Sequence, residues 1–420
     1  MDPISWLAVG VPIAIAGYLG LSRAGRAGRH VELGDVYRLL RRYEDAVRAY
    51  SEALRLDPAN PIRHQILCAR ALCLAHLDRF SEALEDVAQS LQMEPTQEAY
   101  MARSTIYRLA RDERLAREDA DRAVALRPTA AAYLHRAAVL QAFDRLAEAA
   151  ADCTAALAQK ETVEAYLWRA QCYLRDGQAD LALQDAMAAA QKSRDPAVCV
   201  LRARCYEALG QTTDALQDLD RAIRRGSVEA LYHKGMLLIA EGRLDDALKS
   251  LEKAWRRHPG FAEALNGIAI VHGLQEQFEK AVHYYQKALE IEPDSALYRS
   301  NLAEDLYYLG RLDEAEDIAR RAIKLNPELP SIYSVLALIS LEKQAYDEAL
   351  GRADVALELD PEQGYPHEVK ARALEALGRP AEAIESYRRF VEVASRATLF
   401  ENRLRERIDR ARDRIRALQT

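Results

Sequence analysis

Large aromatic side chains are scarce: three tryptophans and six phenylalanines serve 420 residues, half of them apolar and 29% charged. That composition describes soluble, alanine-rich helical material and excludes a disordered chain. Cysteine is limited to Cys68, Cys73, Cys153, Cys172, Cys199 and Cys205. With no C-x-x-C pair and no zinc spacing, these read as small buried apolar side chains and fit a reducing compartment. A net charge of −7 gives no general pull toward nucleic acid or an anionic surface. Catalytic signatures are missing too: no P-loop, no G-x-G-x-x-G, no H-E-x-x-H and no G-x-S-x-G. The nine histidines are scattered, and His272 and His283, eleven apart, are too distant for adjacent ligands on one helix face. The expectation is a protein that is not an enzyme and uses no metal, cofactor or small-molecule substrate.

What the chain has in abundance is repetition. Ala46, Ala83, Ala116, Ala149, Ala182, Ala215, Ala247, Ala281, Ala315, Ala349 and Ala383 recur at intervals of 32 to 37 residues. A small residue stands twelve positions before each, from Gly34 and Ala71 through Gly235 to Ala371. Another alanine usually follows seven later, and a proline often follows five beyond that, as at Pro58, Pro95, Pro128, Pro259, Pro293, Pro327 and Pro361. A period near 34 marks a solenoid of helix–turn–helix units, in which each unit packs only on its neighbours. Small residues let paired helices approach at crystal density, and proline stops the second helix.

These features, with the stretch LGDVYRLLRRYEDAVRAYSEALRLDP as their fullest statement, resemble the tetratricopeptide-repeat family over about residues 27–395, in eleven copies. The resemblance implies an all-α, right-handed α-solenoid of eleven hairpins that binds proteins. It also implies a concave groove lined by the first helix of each repeat. By that analogy the groove-facing residues include Leu134, Leu167, Trp168, Val200, Leu201, Tyr232, His233, Met236, Asn266, Asn301, Tyr307 and Tyr308. A lone aromatic such as Trp168 can instead pack between helices. The family's carboxylate clamp for chaperone tails is not matched: its positions read Val31, Asp35, Cys68, Leu72, Met101 and Thr105.

Repeats 2 to 6 differ from the rest. Arg70, Arg103, Arg136, Arg169 and Arg202 precede the small residue, and sixteen positions on stand Asp86, Asp119, Asp152, Asp185 and Asp218. Repeats lacking the arginine lack the aspartate. Five arginines in step could hold a phosphate backbone or an acidic tail, but the second column predicts internal pairs, arginine's planar fork meeting a carboxylate through two hydrogen bonds. Repeat length changes near Gly226–Ser227, so residues 27–226 and 227–395 are expected to form two differently pitched stretches.

The termini leave the repeat. Ile4–Leu21 holds eighteen uncharged residues, with Trp6 and Tyr18 toward its ends and Arg23, Arg26 and Arg29 just after it. As a helix it would span ~27 Å, near the hydrocarbon thickness of a bilayer. Residues 1–21 are therefore expected to be a single-pass anchor, followed by a basic linker over 22–30, with the repeats in the cytoplasm. Within the anchor, Gly10 and Ala14, and Ala16 and Gly20, are spaced to let a membrane-protein partner approach closely. A cleaved signal peptide, placing the repeats in the periplasm or outside, and a helix packed on the first repeat are the alternatives. At the other end, Leu404, Ile408, Ala411, Ile415 and Leu418 form an amphipathic stripe over residues 396–420, either a cap or a short dimer seam. The function expected is a membrane-anchored scaffold organising protein partners, or an assembly factor presenting a client to a membrane machine.

Overall fold

The computed structural model describes residues 23–396 and 401–419. All described secondary structure is helical, and it divides into two compact units, residues 1–211 and 212–420. The first unit holds α1 (Arg23–Leu39), α2 (Tyr43–Leu56), α3 (Arg63–Ala75), α4 (Phe80–Met93), α5 (Gln97–Leu109), α6 (Glu113–Leu126), α7 (Ala130–Ala142), α8 (Leu146–Gln159), α9 (Val163–Arg175), α10 (Ala179–Lys192) and α11 (Pro196–Ala208). The second holds α12 (Thr212–Arg224), α13 (Glu229–Ala240), α14 (Leu244–Arg257), α15 (Ala262–Leu274), α16 (Phe278–Ile291), α17 (Ala296–Tyr308), α18 (Leu312–Leu325), α19 (Pro330–Glu342), α20 (Tyr346–Leu359), α21 (Gly364–Ala376), α22 (Pro380–Ala394) and α23 (Glu401–Gln419). The units divide between Gln211 and Thr212, in the turn of the sixth repeat, fifteen residues before the change in repeat length at Gly226. Ile4–Leu21, with Gly10, Ala14, Ala16 and Gly20, lies outside the described residues. Among the described residues no helix is long and apolar enough to cross a membrane.

Within each unit, odd-numbered helices pack on the even ones that follow, and each even helix packs on the next odd one. The recurring alanines are the reason. Ala46, Ala83, Ala116, Ala149, Ala182, Ala215, Ala247, Ala281, Ala315, Ala349 and Ala383 are all fully buried. Local signals fix the helix starts. Thr96, Thr129, Thr162, Asp195 and Ser295, each eight positions before the small residue, accept a hydrogen bond from an amide of the first turn, which satisfies a donor the helix itself cannot.

In two repeats the small position is glycine, sixteen residues before Tyr50 and Leu251, while Ala203, Ala269 and Ala371 precede Leu219, Tyr285 and Tyr387 by the same interval. A Cβ on Gly34 would lie 2.6 Å from the Tyr50 ring, and one on Gly235 would lie 2.5 Å from Leu251 Cγ. A second feature recurs once per repeat. The residue five before each alanine has positive φ: glycine at 177, 210, 242, 310 and 378, but Arg41, Asp78, Arg111, Asp144, Glu276 and Gln344 elsewhere. The two glycine roles separate by experiment. Gly235→Ala should cost about 1–3 kcal/mol through overpacking. Gly310→Ala, whose Cβ meets nothing within 4 Å but whose φ is +72°, should cost only about 1 kcal/mol from the left-handed backbone. Urea midpoints of the two variants give the comparison, and equal losses would refute the assignment.

At the C-terminal end, α23 lays Ile408 and Ala411, with Ile415 and Leu418, against Ala371, Tyr387, Phe390 and Ala394. Arg407 bonds Glu368 at 2.6 Å and stacks over the Tyr365 ring at 4.5 Å. The side chain of Leu404 lies outside the described residues.

Candidate partner-binding surface

The arginine column is internal. Arg70 donates Nε and Nη2 to the two oxygens of Asp86, both at 2.7 Å. Arg103–Asp119 repeats this at 2.6 and 2.8 Å, and Arg136–Asp152 and Arg169–Asp185 at 2.7 Å each. The four aspartates are buried. The pair with Asp119 raises the Arg103 pKa despite burial, and Arg136 and Arg169 are raised by Asp152 and Asp185 in the same way. Arg202 and Asp218 belong one to each unit; within its own unit Asp218 accepts from Arg221 at 2.6 Å.

The third arm of these arginines has a use the sequence reading missed. Arg70 Nη1 reaches back to Ser51, Arg136 Nη1 to Asp121 and Arg169 Nη1 to Thr154, at 2.8 to 2.9 Å. Lys234 and Lys370, which break the arginine column, make the corresponding contact with Asp220 and Asp354 at 2.6 and 2.5 Å. All five acceptors sit five residues after the frame alanine of the preceding repeat. A polar residue there, followed by a cation one repeat on, was the legible signal. Repeats 2 to 5 are thus tied internally, and repeats 2, 4, 5, 7 and 11 to their predecessors, so both columns are scaffold.

Of the twelve groove residues, five are core. Leu134, Trp168, Val200, Leu201 and Asn266 are buried, and Trp168 packs with Leu134, Ala137, Cys153 and Cys172. For Trp168 and Leu201 the reason is the small size of their neighbours, alanine and cysteine for the most part, which leaves room for a large side chain to turn inward. Leu167 is half-buried beside Ala170, Ala182 and Leu201.

The remaining six are all in the second unit, where α13, α15, α17, α19 and α21 pack side by side. Tyr232, His233, Met236, Asn301, Tyr307 and Tyr308 are half-buried. Tyr232 sets its ring edge-on against His233 at 5.4 Å and Phe261 at 5.5 Å. Asn301 Nδ2 donates to Asn266 Oδ1 at 3.1 Å. Tyr308 stacks on Phe278 at 5.2 Å and meets Tyr307 edge-on. Burial, and then the neighbouring Glu342 carboxylate, pushes the Tyr307 hydroxyl up to about 12, while burial raises Tyr308 further. Both stay neutral hydrogen-bonding groups at physiological pH. Around them Arg372 pairs with Glu342 at 3.5 Å. Half-buried tyrosine and methionine are side chains that interaction surfaces favour.

His272 and His283, separated in sequence, line one open cavity of about 440 Å³ with Glu252, Glu279, Lys280 and Tyr284. They lie on different helices, and the α15–α16 hairpin folds the two histidines together. His272 is occupied, stacked on Tyr284 at 5.4 Å and bonded to Gln277 at 3.1 Å. Among the described residues no group of three or more His, Cys, Asp or Glu side chains is placed to hold a metal. All six cysteines are free and buried.

Helical hairpins repeated every 32 to 37 residues, joined through small residues and presenting half-buried aromatics on their first helices, define a repeat scaffold for protein–protein interaction. The chain belongs to the tetratricopeptide-repeat family: models of that repeat match residues 27–60, 226–294, 260–328, 300–364 and 367–396. A model of subunit 3 of the anaphase-promoting complex, cyclosome, matches residues 144–222. Curated relatives include a DnaJ homolog subfamily C member 7 homolog of Schizosaccharomyces pombe, 26% identical over 40% of this chain and 39% of that protein. The protein CTR9 homolog of Arabidopsis thaliana is 30% identical over 30% of this chain and 12% of its own length. The rat mitochondrial import receptor subunit TOM70 is 24% identical over 31% of this chain and 22% of its own. The chain thus spans well under half of the curated relatives it matches. Yeast Tom70 is a solved structure similar over 95% of this chain and 96% of its own, at 15% identity and a TM-score of 0.48.

Proposed function

We propose that this chain is a membrane-anchored scaffold. The Ile4–Leu21 helix tethers the repeats on the cytoplasmic side, and the first-helix face of the second unit holds a protein partner at a membrane complex. The observation that carries the partner assignment is the set of half-buried side chains Tyr232 and Met236 on α13 and Asn301, Tyr307 and Tyr308 on α17, the two helices that flank α15. The anchor rests on the uncharged run with arginines only on its C-terminal side. Presentation of a client to a membrane machine is the same surface used transiently.

The test is recovery of the intact protein in mild detergent, followed by identification of what accompanies it. Met236→Glu should remove the specific partner, whereas Lys249→Glu, on an exposed position of α14, should not. Equal recovery with both variants would refute the surface. Carbonate extraction tests the anchor separately: a chain released into the supernatant is not an integral membrane protein. A mature N-terminus near Gly17 would favour the periplasmic alternative.

A further inference from the structure

The two ends of the repeat array are treated differently. The last hairpin is covered by α23, as a terminal solenoid unit requires. The first hairpin exposes Leu33, Val36, Leu39 and Leu40, an unusual concentration of large apolar side chains for a single helix and its adjoining turn. At 100° per residue, Arg26, Arg29, Leu33, Val36 and Leu40 fall within an arc of about 80°, and all five are exposed. The opposite side of α1 carries Ala27 and Gly34, which are buried. Arg26 and Arg29 lead this stripe and the leucines end it.

We infer that this stripe lies on the headgroup layer of an anionic membrane, so that α1 is an interfacial helix fixing the first repeat against the bilayer. The inference rests on the proposed anchor. Only Ser22 separates Leu21, the end of the uncharged run, from the start of α1 at Arg23. If the run spans the bilayer, α1 begins in the interface and has no length of chain with which to leave it. Charge agrees. From Arg23 to Arg42 there are six arginines against Glu32 and Asp35, in a chain whose net charge is −7. A helix with apolar residues on one face and arginines beside them binds by burying that face at the headgroup boundary and attracting anionic lipid. A protein partner would also cover the stripe, but nothing in its position beside the anchor or its basic flank calls for one.

The test uses the whole chain reconstituted in phosphatidylcholine vesicles with and without phosphatidylglycerol. A nitrobenzoxadiazole label is attached through Val36→Cys, the six native cysteines being buried, and in a second preparation through Ala14→Cys. With phosphatidylglycerol present, the Val36→Cys label should shift to the blue and lose emission to nitroxide carried on lipid headgroups. Arg26→Glu with Arg29→Glu should reverse this, by roughly five-fold per arginine in the ratio of docked to undocked helix. A Val36→Cys label open to aqueous iodide while the Ala14→Cys label is quenched from within the bilayer overturns the inference and leaves the anchor standing. Neither label reached by lipid quencher overturns both. A Val36→Cys label shielded from iodide yet untouched by lipid nitroxide places a second copy of the chain on the stripe, and likewise overturns it.

Discussion

Arg169→Leu should cost the first unit about 3–5 kcal/mol, and Asp185→Leu distinctly less. The asymmetry follows from exposure. Asp185 keeps 6% of its side-chain surface in water and Arg169 keeps 19%. Without Arg169, a buried carboxylate loses both fork hydrogen bonds and cannot reach solvent. Without Asp185, the long arginine stem can swing its head outward, and Nη1 retains Thr154. The double variant should recover most of the loss, because a well-packed apolar pair is nearly equivalent to a buried ion pair. Urea midpoints, with hydrogen exchange read on α9 and α10, measure all three. Equal costs for the single variants would mean that the pair is solvated and serves mainly to set register.

The second large effect is acid sensitivity centred on His135. This side chain is buried on α7, its Nε2 has no hydrogen-bond partner, and burial, reinforced by the Arg108 guanidinium, lowers its pKa from 6.5 to about 4. The unfolded chain takes up a proton below its ordinary value of 6.5, while the folded chain resists until about 4. Stability is therefore full above 6.5 and falls as the pH drops through that window, by about 2 kcal/mol between pH 7 and pH 5. Carboxylates such as Glu316, held at about 2 by Lys343 and Arg320, act in the same direction only below the ordinary carboxylate range. His135→Leu should flatten the dependence between pH 7 and pH 5. If the variant retains the wild-type slope, the loss originates elsewhere.

Much of this architecture was legible because repetition multiplies a weak signal. One alanine indicates little, but eleven in register locate every hairpin, and an aspartate occurring only where an arginine stands sixteen residues earlier identifies a pair. What escaped notice depended on side-chain size and handedness. For Trp168 the groove and packing between helices were both open from position, and the structure takes the second, the indole filling the volume beside Leu134, Ala137, Cys153 and Cys172. The left-handed turn residue could be guessed at the five glycines, but Arg41, Asp78, Arg111, Asp144, Glu276 and Gln344 carry no such mark, since the hairpin imposes the conformation on them. The backward contacts to Ser51, Asp121, Thr154, Asp220 and Asp354 were hidden because serine, threonine and aspartate share one role there. The candidate surface was half readable: residue types on the second unit's first helices indicated it, whereas the surrounding pairs Arg372–Glu342 and Arg407–Glu368 come from elements far apart in the chain.

Those backward contacts also set where the array would tear. Between the first and second repeats, the third and fourth, the fourth and fifth, the sixth and seventh, and the tenth and eleventh, a cation reaches across to a polar group. The junction between the second and third repeats has Ala88 at the acceptor position, and the eighth, ninth and tenth repeats carry Ile268, Leu302 and Leu336 in place of the cation. Under a pull along the chain, the junctions without this contact should part before those that have it. The first unit would then yield in blocks of repeats, and the eighth and ninth repeats one hairpin at a time.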